Sequence, residues 1–223
     1  MTKKRALVIG ASGAIGAACA LELERLGYDV TRLSRSHDGL DLTDEASVDQ
    51  HLNALDGSFA RILVTSGGLQ IGDAGPEKTI RRINARAMAD QFALNAIGPA
   101  LVLKHAHRLL PRKSPSVFAV LSARVGSIGD NRLGGWISYR SAKAAVNQII
   151  HTAAIELSRT HPQSCCVTLH PGTVQSELTC KYVGRNPSVT PPVAATNLCR
   201  VMDGLRPDQS GLFFDWAGEQ VEW

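Results

Sequence analysis

The stretch Arg5-Ala6-Leu7-Val8-Ile9-Gly10-Ala11-Ser12-Gly13-Ala14-Ile15-Gly16 joins a short apolar run to a loop of small residues. The following segment, Gly13–Leu26, places Ile15, Cys19, Leu23 and Leu26 at helical spacing. A strand that turns through glycines into a helix is a phosphate cradle. Small residues let the backbone approach a diphosphate, and the helix start supplies free N–H groups and the positive end of a dipole. Gly10, Ser12, Gly13, Ala14, Ile15 and Gly16 are the expected holders of that anion. A glycine-rich turn alone is a weak signal; the strand before it and the helix after it give it context.

The rest of the chain repeats the alternation. Tyr28–Leu33, Arg61–Thr65, Ser116–Ser122, Cys165–Leu169 and Gly211–Phe214 read as strands, and His37–Leu42 as a very short third one. Thr43 is placed to cap a helix through about Leu55. Ala85–Leu110 reads as one long helix ended by Pro111, and Tyr139–Arg159 as another. Val146, Ile149, Ile150, Ala153, Ala154 and Leu157 recur along the second at helical intervals. Continuous apolar strands separated by helices predict a doubly wound parallel sheet, a Rossmann-type three-layer α/β/α single domain over residues 1–223. Gly67–Lys78 and Ser176–Pro192 read as the irregular loops beyond strand ends, where such folds bind ligands.

Composition excludes other classes. The chain has 223 residues, 44% hydrophobic and 20% charged, with net charge +4. That balance is ordinary for a globular protein and argues against disorder or a coiled coil. No apolar run is long enough to span a membrane, and the start MTKKRALVIGAS lacks a signal peptide's apolar stretch, so a cytoplasmic location is expected. The charge is too mild and too scattered for a nucleic-acid surface. Five cysteines without CxxC spacing suit reduced thiols. His105 and His107 lie two apart and point to different sides of a helix, so no metal is expected.

Two local patterns speak to chemistry. After the second strand the chain reads Thr31-Arg32-Leu33-Ser34-Arg35-Ser36, with no carboxylate for a ribose 2′-hydroxyl. Arg35 can pair with a 2′-phosphate, and Ser34 or Ser36 can hydrogen-bond it, which favours NADP over NAD. Asp41-Leu42 is placed to flank the adenine. In Tyr139-Arg140-Ser141-Ala142-Lys143, the phenol and the amine share a helix face. A nearby ammonium is expected to lower the tyrosine pKa, readying Tyr139 to exchange a proton with a carbonyl oxygen.

With these motifs in order, the chain resembles the short-chain dehydrogenase/reductase family, of the compact classical type. Gly10-x-x-x-Ala14-x-Gly16 is similar to its cofactor loop. Asn95 matches the helix asparagine that holds a water in a proton relay, and Tyr139 and Lys143 match the acid/base and its partner; the resemblance implies that all three also border the coenzyme, with Lys143 hydrogen-bonding the nicotinamide ribose. Pro171-Gly172-Thr173-Val174-Gln175-Ser176 matches the segment around the nicotinamide. The stretches Ser122–Ile128 and Asp130–Trp136 look more narrowly like bacterial C-factor-like members. The resemblance implies an NADP-dependent oxidoreductase acting on a small carbonyl or alcohol. Pro171, Gly172, Val174 and Ser176 would line the nicotinamide, and Ser66, Gly67 and Gly68 the adenosine side. It also implies a homodimer or homotetramer through the two long helices. A non-catalytic dinucleotide-binding signalling protein is the alternative. Two departures stand out. Thr65-Ser66-Gly67-Gly68 replaces Asn-x-Ala-Gly, so the asparagine's buttressing is expected to be missing. The catalytic serine has no unique register: Ser122 is the first candidate, although as a neighbour of the matching slot, Ala123, it would face away unless the strand end twists, and Ser127 is the second. The substrate is expected between Arg124–Trp136 and Ser176–Pro192.

Overall fold

The computed structural model describes residues 3–176 and 187–223. Its elements are β1 (Arg5–Ile9), α1 (Ala14–Arg25), β2 (Asp29–Leu33), α2 (Arg35–Asp38), α3 (Glu45–Asn53), β3 (Arg61–Val64), α4 (Ala85–Phe92), α5 (Gly98–Leu103), α6 (Ala106–Leu109), β4 (Ser116–Leu121), α7 (Ile137–Leu157), β5 (Ser164–His170), α8 (Pro191–Gly204) and β6 (Phe213–Asp215). The strands form one parallel sheet in the order β2-β1-β3-β4-β5-β6. The order reverses outward from β1, which opens a crevice at the strands' carboxyl ends.

Alternation divides the core. Leu7, Ile9, Ile62, Val64, Phe118, Val120 and Cys166 face one way and pack with Val146, Ile150 and Ala154 of α7. Ala6, Val8, Leu63, Ala119, Leu121, Val167 and Leu169 face the other way, under α1 and α8. Both faces are covered, so both parities are apolar, as a parallel sheet requires. Among the described residues, no helix is long and apolar enough to cross a membrane.

Four local expectations are corrected. His37–Leu42 is not a strand. Ser34 caps α2, accepting from the His37 N–H at 3.3 Å, and Gly39 ends that helix at φ 79°. Local capping here outcompetes sheet pairing. Thr43 does not cap α3; Asp44 does, through the Ala46 N–H at 3.0 Å, while Thr43 donates to Asp41. Ala85–Leu110 is interrupted by a π-helical turn at Ala93–Ile97 and again at Lys104-His105. Finally, α8 begins inside the stretch read as loop: Thr190 stands at its N-cap and Pro191 at its first position, where proline is tolerated.

Candidate functional site

The loop after β1 is glycine by necessity. A Cβ on Gly10, at φ 85°, would lie 2.7 Å from the Ser66 nitrogen, and one on Gly16 would lie 2.2 Å from the Gly10 carbonyl oxygen. The Thr65 hydroxyl donates to the Ile9 carbonyl at 2.9 Å and reaches that of Gly10 at 3.2 Å. The expected loss of buttressing is therefore corrected: Thr65 ties β3 to the end of β1. Gly13 caps α1 without a side-chain bond, and the first turn carries no acid. The leading N–H groups of that helix thus lack intrahelical acceptors and side-chain caps.

These groups open on a cleft of about 630 Å³, lined by Ser12, Gly13, Ala14, Ile15, Gly16, Thr65, Gly67 and Ser176. The donor set fits a diphosphate: backbone N–H groups, a helix N-terminus and close-approach glycines. Pro171 and Val174 are buried, and Gly172 takes φ 79° against Trp216. Val174 bridges Val189, so the Pro171–Ser176 segment is anchored beside α8. Residues 177–186, the centre of the expected substrate loop, lie outside the described residues.

At the end of β2, Ser34 does not present a free hydroxyl. It is buried, and its Oγ and backbone N–H both donate to Asp38, at 3.1 and 2.8 Å. Arg35 is exposed and makes no ion pair among the described residues. Asp41 accepts from both the backbone N–H and the hydroxyl of Thr43, which hold its carboxyl below the usual range. The Leu42 side chain is core, packed where Gly98 has no Cβ.

Asn95 sits in the π turn, fully buried. It donates to the Gly68 carbonyl at 2.9 Å and to Gln91 Oε1 at 2.8 Å, and accepts from the Gly68 N–H at 3.1 Å. Its side chain is thus a splint for the Ser66–Gly68 loop. π turns inside helices are frequent at functional sites.

On α7, Tyr139 and Lys143 share a face, with Lys143 Nζ 5.8 Å from the phenol centroid. Nζ is buried and donates to the Leu121 carbonyl at 2.8 Å. Burial lowers Lys143 to about 8. The expected depression of Tyr139 is not seen: burial instead pushes it up to about 12. The amine lies over the ring and is turned to a carbonyl, and the cost of desolvating a phenolate prevails over its attraction.

Ser122 continues the β4–β5 ladder by one residue, through its N–H to the Leu169 carbonyl at 2.8 Å. Alternation with Phe118 and Val120 places it on the α7 side of the sheet, with no bulge needed. This corrects the expected outward register. Its buried Oγ has no hydrogen-bond partner among the described residues. Ser127 differs. Its Oγ accepts from the Asp130 N–H at 3.0 Å, and it lines a cavity of about 710 Å³ with Ile137, Arg140, Ser141 and Ala144. Those α7 positions form a face turned away from Tyr139 and Lys143.

Residues 37–185 match the family described as short chain dehydrogenase. The chain belongs to that family. It is 34% identical over 137 residues to C-signal of Myxococcus xanthus, a match covering 61% of this chain and 78% of that protein. It is 34% identical over 133 residues to 1-hydroxy-2-glutathionyl-2-methyl-3-butene dehydrogenase of Rhodococcus sp. strain AD45, covering 60% of this chain and 57% of the relative. Among solved structures, a short-chain dehydrogenase/reductase from Burkholderia multivorans with bound NADP aligns over 100% of both chains, at TM-score 0.84 and 24% identity. The fold and family of the sequence expectation are those found.

Sequence reasoning missed one contributor. Glu77 is buried and reaches Ser138, 61 residues away, immediately before Tyr139. No local spacing signals such a pair, and nothing in the sequence sets Glu77 apart from Asp73 in the same loop.

Proposed function

We propose that this protein is an NADP-dependent oxidoreductase that interconverts a small carbonyl compound and its alcohol. The observation that carries this is the α7 pair: a phenol and a buried amine one helical turn apart, beside the sheet end where the Ser122 hydroxyl has no hydrogen-bond partner among the described residues. The bound coenzyme would supply or accept the hydride.

The chain's own residues do the rest. The backbone of Gly10, Ser12, Gly13, Ala14, Ile15 and Gly16 holds the diphosphate. Arg35 pairs with the 2′-phosphate, and Asp41 with the backbone at Leu42 flanks the adenine. Ser66, Gly67 and Gly68, splinted by Asn95, border the adenosine side; Pro171, Gly172, Val174 and Ser176 border the nicotinamide. Ser122 Oγ donates to the substrate oxygen and steadies its developing charge. A Tyr139 pKa of about 12 keeps its O–H intact at neutral pH. As the carbonyl carbon becomes saturated, Tyr139 Oη gives its proton to the carbonyl oxygen, leaving an alcohol and a phenolate. The Lys143 ammonium stabilises that phenolate until it is reprotonated. The NADP-bound Burkholderia neighbour supports the coenzyme, and Arg35, exposed and without an ion pair among the described residues, supports NADP over NAD.

The likeness to C-signal favours a second reading, a dinucleotide-binding signalling protein without turnover. One experiment separates the two: NADPH oxidation across aldehydes, ketones and quinones, with Tyr139→Phe as control. Turnover is expected in the wild type and about 10³-fold less in Tyr139→Phe, with NADPH binding retained. NADPH binding without turnover on any carbonyl would support the second reading.

A further inference from the structure

The helix carrying Tyr139 is capped from a distance. Its own N-cap residue, Trp136, makes no side-chain capping bond and takes φ 53°, ψ 40°. That left-handed conformation is unusual for a bulky residue and persists only where the surroundings impose it. Two glycines precede it, Gly134 at φ 62° and Gly135 at φ 69°. Glu77 holds this turn through two groups. Its backbone carbonyl accepts from the Trp136 N–H. Its carboxylate accepts from the Ser138 N–H at 3.3 Å and from the Ser138 hydroxyl in a short contact. Both Glu77 and Ser138 are buried, and both border a small pocket against Tyr139. The Trp136 ring meets the Tyr139 ring edge-on, with centroids 6.5 Å apart.

The same segment is anchored at its other end. Gly68 is held by Asn95, and the Leu69 carbonyl accepts from Gln91 at 2.9 Å. The stretch from Gly68 to Glu77 is therefore a strap, tied to the end of α4 and its π turn on one side and to the first turn of α7 on the other.

We propose that Glu77 is a positioning residue: it clamps the entry of α7 and thereby sets where Tyr139 Oη stands. This rests on the proposed oxidoreductase reading. Tyr139 lies one residue after the clamped serine, so loosening the first turn shifts the phenol directly, whereas the coenzyme cradle at Gly10–Gly16 belongs to a different strand and helix. Removing the carboxylate should therefore reduce turnover and leave coenzyme affinity intact.

The test compares Glu77→Ala, Glu77→Gln and Ser138→Ala with the wild type. Glu77→Ala is expected to lose about tenfold or more in kcat, with the NADPH Kd within about twofold. Glu77→Gln keeps an acceptor oxygen and should recover most of that loss. Ser138→Ala should fall between, and adding it to Glu77→Ala should cost little more, because both act through one contact. A purely structural role would lower Tm without this split. If each folded variant keeps wild-type kcat, the proposal is overturned. Amide exchange of the first turn of α7 needs no substrate, and Glu77→Ala should speed it about tenfold or more. An inactive wild type would sink the oxidoreductase reading alone; unchanged exchange would sink the clamp alone.

Discussion

The candidate coenzyme cradle and the proposed proton-transfer centre are built on opposite principles. The cradle is local. Its shape follows from seven consecutive residues in which a methyl at Gly10 or Gly16 would strike backbone, tied to neighbouring strands by the Thr65 hydroxyl and by the Leu33 carbonyl, which accepts from the Gly10 and Ala11 N–H groups. The proton-transfer centre is assembled. Tyr139 and Lys143 come from α7, Ser122 from the end of β4, the lysine's acceptor from Leu121 and the helix cap from Glu77. A local device tolerates change elsewhere in the chain. An assembled one fails wherever any of its supports is moved.

The sharpest way to break this contrast is to exchange the two candidate serines. Ser122→Ala should lower kcat about 10²-fold, the usual cost of losing one donor to a developing oxyanion. Ser127→Ala should stay near wild type, since its hydroxyl serves Asp130 and a cavity on the other face of α7. Steady-state kinetics on a single carbonyl substrate decides it. The reverse ranking would place the substrate oxygen on the far side of the helix and overturn the assembly described here.

That contrast also explains what could be read from the chain. The Gly10–Gly16 loop, the strands and the Tyr139–Lys143 spacing obey short-range rules, so they are visible in a single sequence. The orientation of Ser122 depends on whether the β4–β5 ladder extends one residue past Leu121, which no local pattern states. The Glu77 clamp spans 61 residues and has no periodicity to betray it. Two differences are of another kind. Thr190-Pro191-Pro192 carried a legible helix start, with Ala194, Ala195, Leu198 and Cys199 buried behind it, but its prolines read as loop. His37–Leu42 reads as a strand only if the Ser34–Asp38 hydrogen bonds, which fold its first residues into α2 and compete with sheet pairing, are left out.

A smaller effect concerns pH. Burial disfavours the charged form of Lys143, so its pKa falls to about 8. Below that pH the amine is cationic and can steady the Tyr139 phenolate; above it the amine is neutral and cannot. Tyr139, raised by burial to about 12, remains a phenol across the same range and adds no break of its own. At saturating NADPH, the kcat/KM for the carbonyl reports the groups of the enzyme–coenzyme complex that meets it. It should be level below about pH 8 and fall up to tenfold per unit above it. In Lys143→Met the break should vanish, leaving a low, flat profile. A wild-type profile level up to pH 10 would mean that the amine's charge does not assist the tyrosine.

The smallest effect belongs to the cradle's rim. Arg35 is exposed, so its pairing with a 2′-phosphate is screened by water and salt. Ser34 cannot reinforce it, because its hydroxyl and backbone N–H are both committed to Asp38. Arg35→Ala should therefore raise the KM for NADPH only about fivefold and leave that for NADH unchanged. Added salt should narrow the difference between wild type and variant. A large loss for both coenzymes would mean that Arg35 supports the loop itself, making the rim part of the assembled architecture. An unchanged NADPH KM would remove the ground for preferring the phosphorylated coenzyme, since a carboxylate, that of Asp38, lies close to the end of β2.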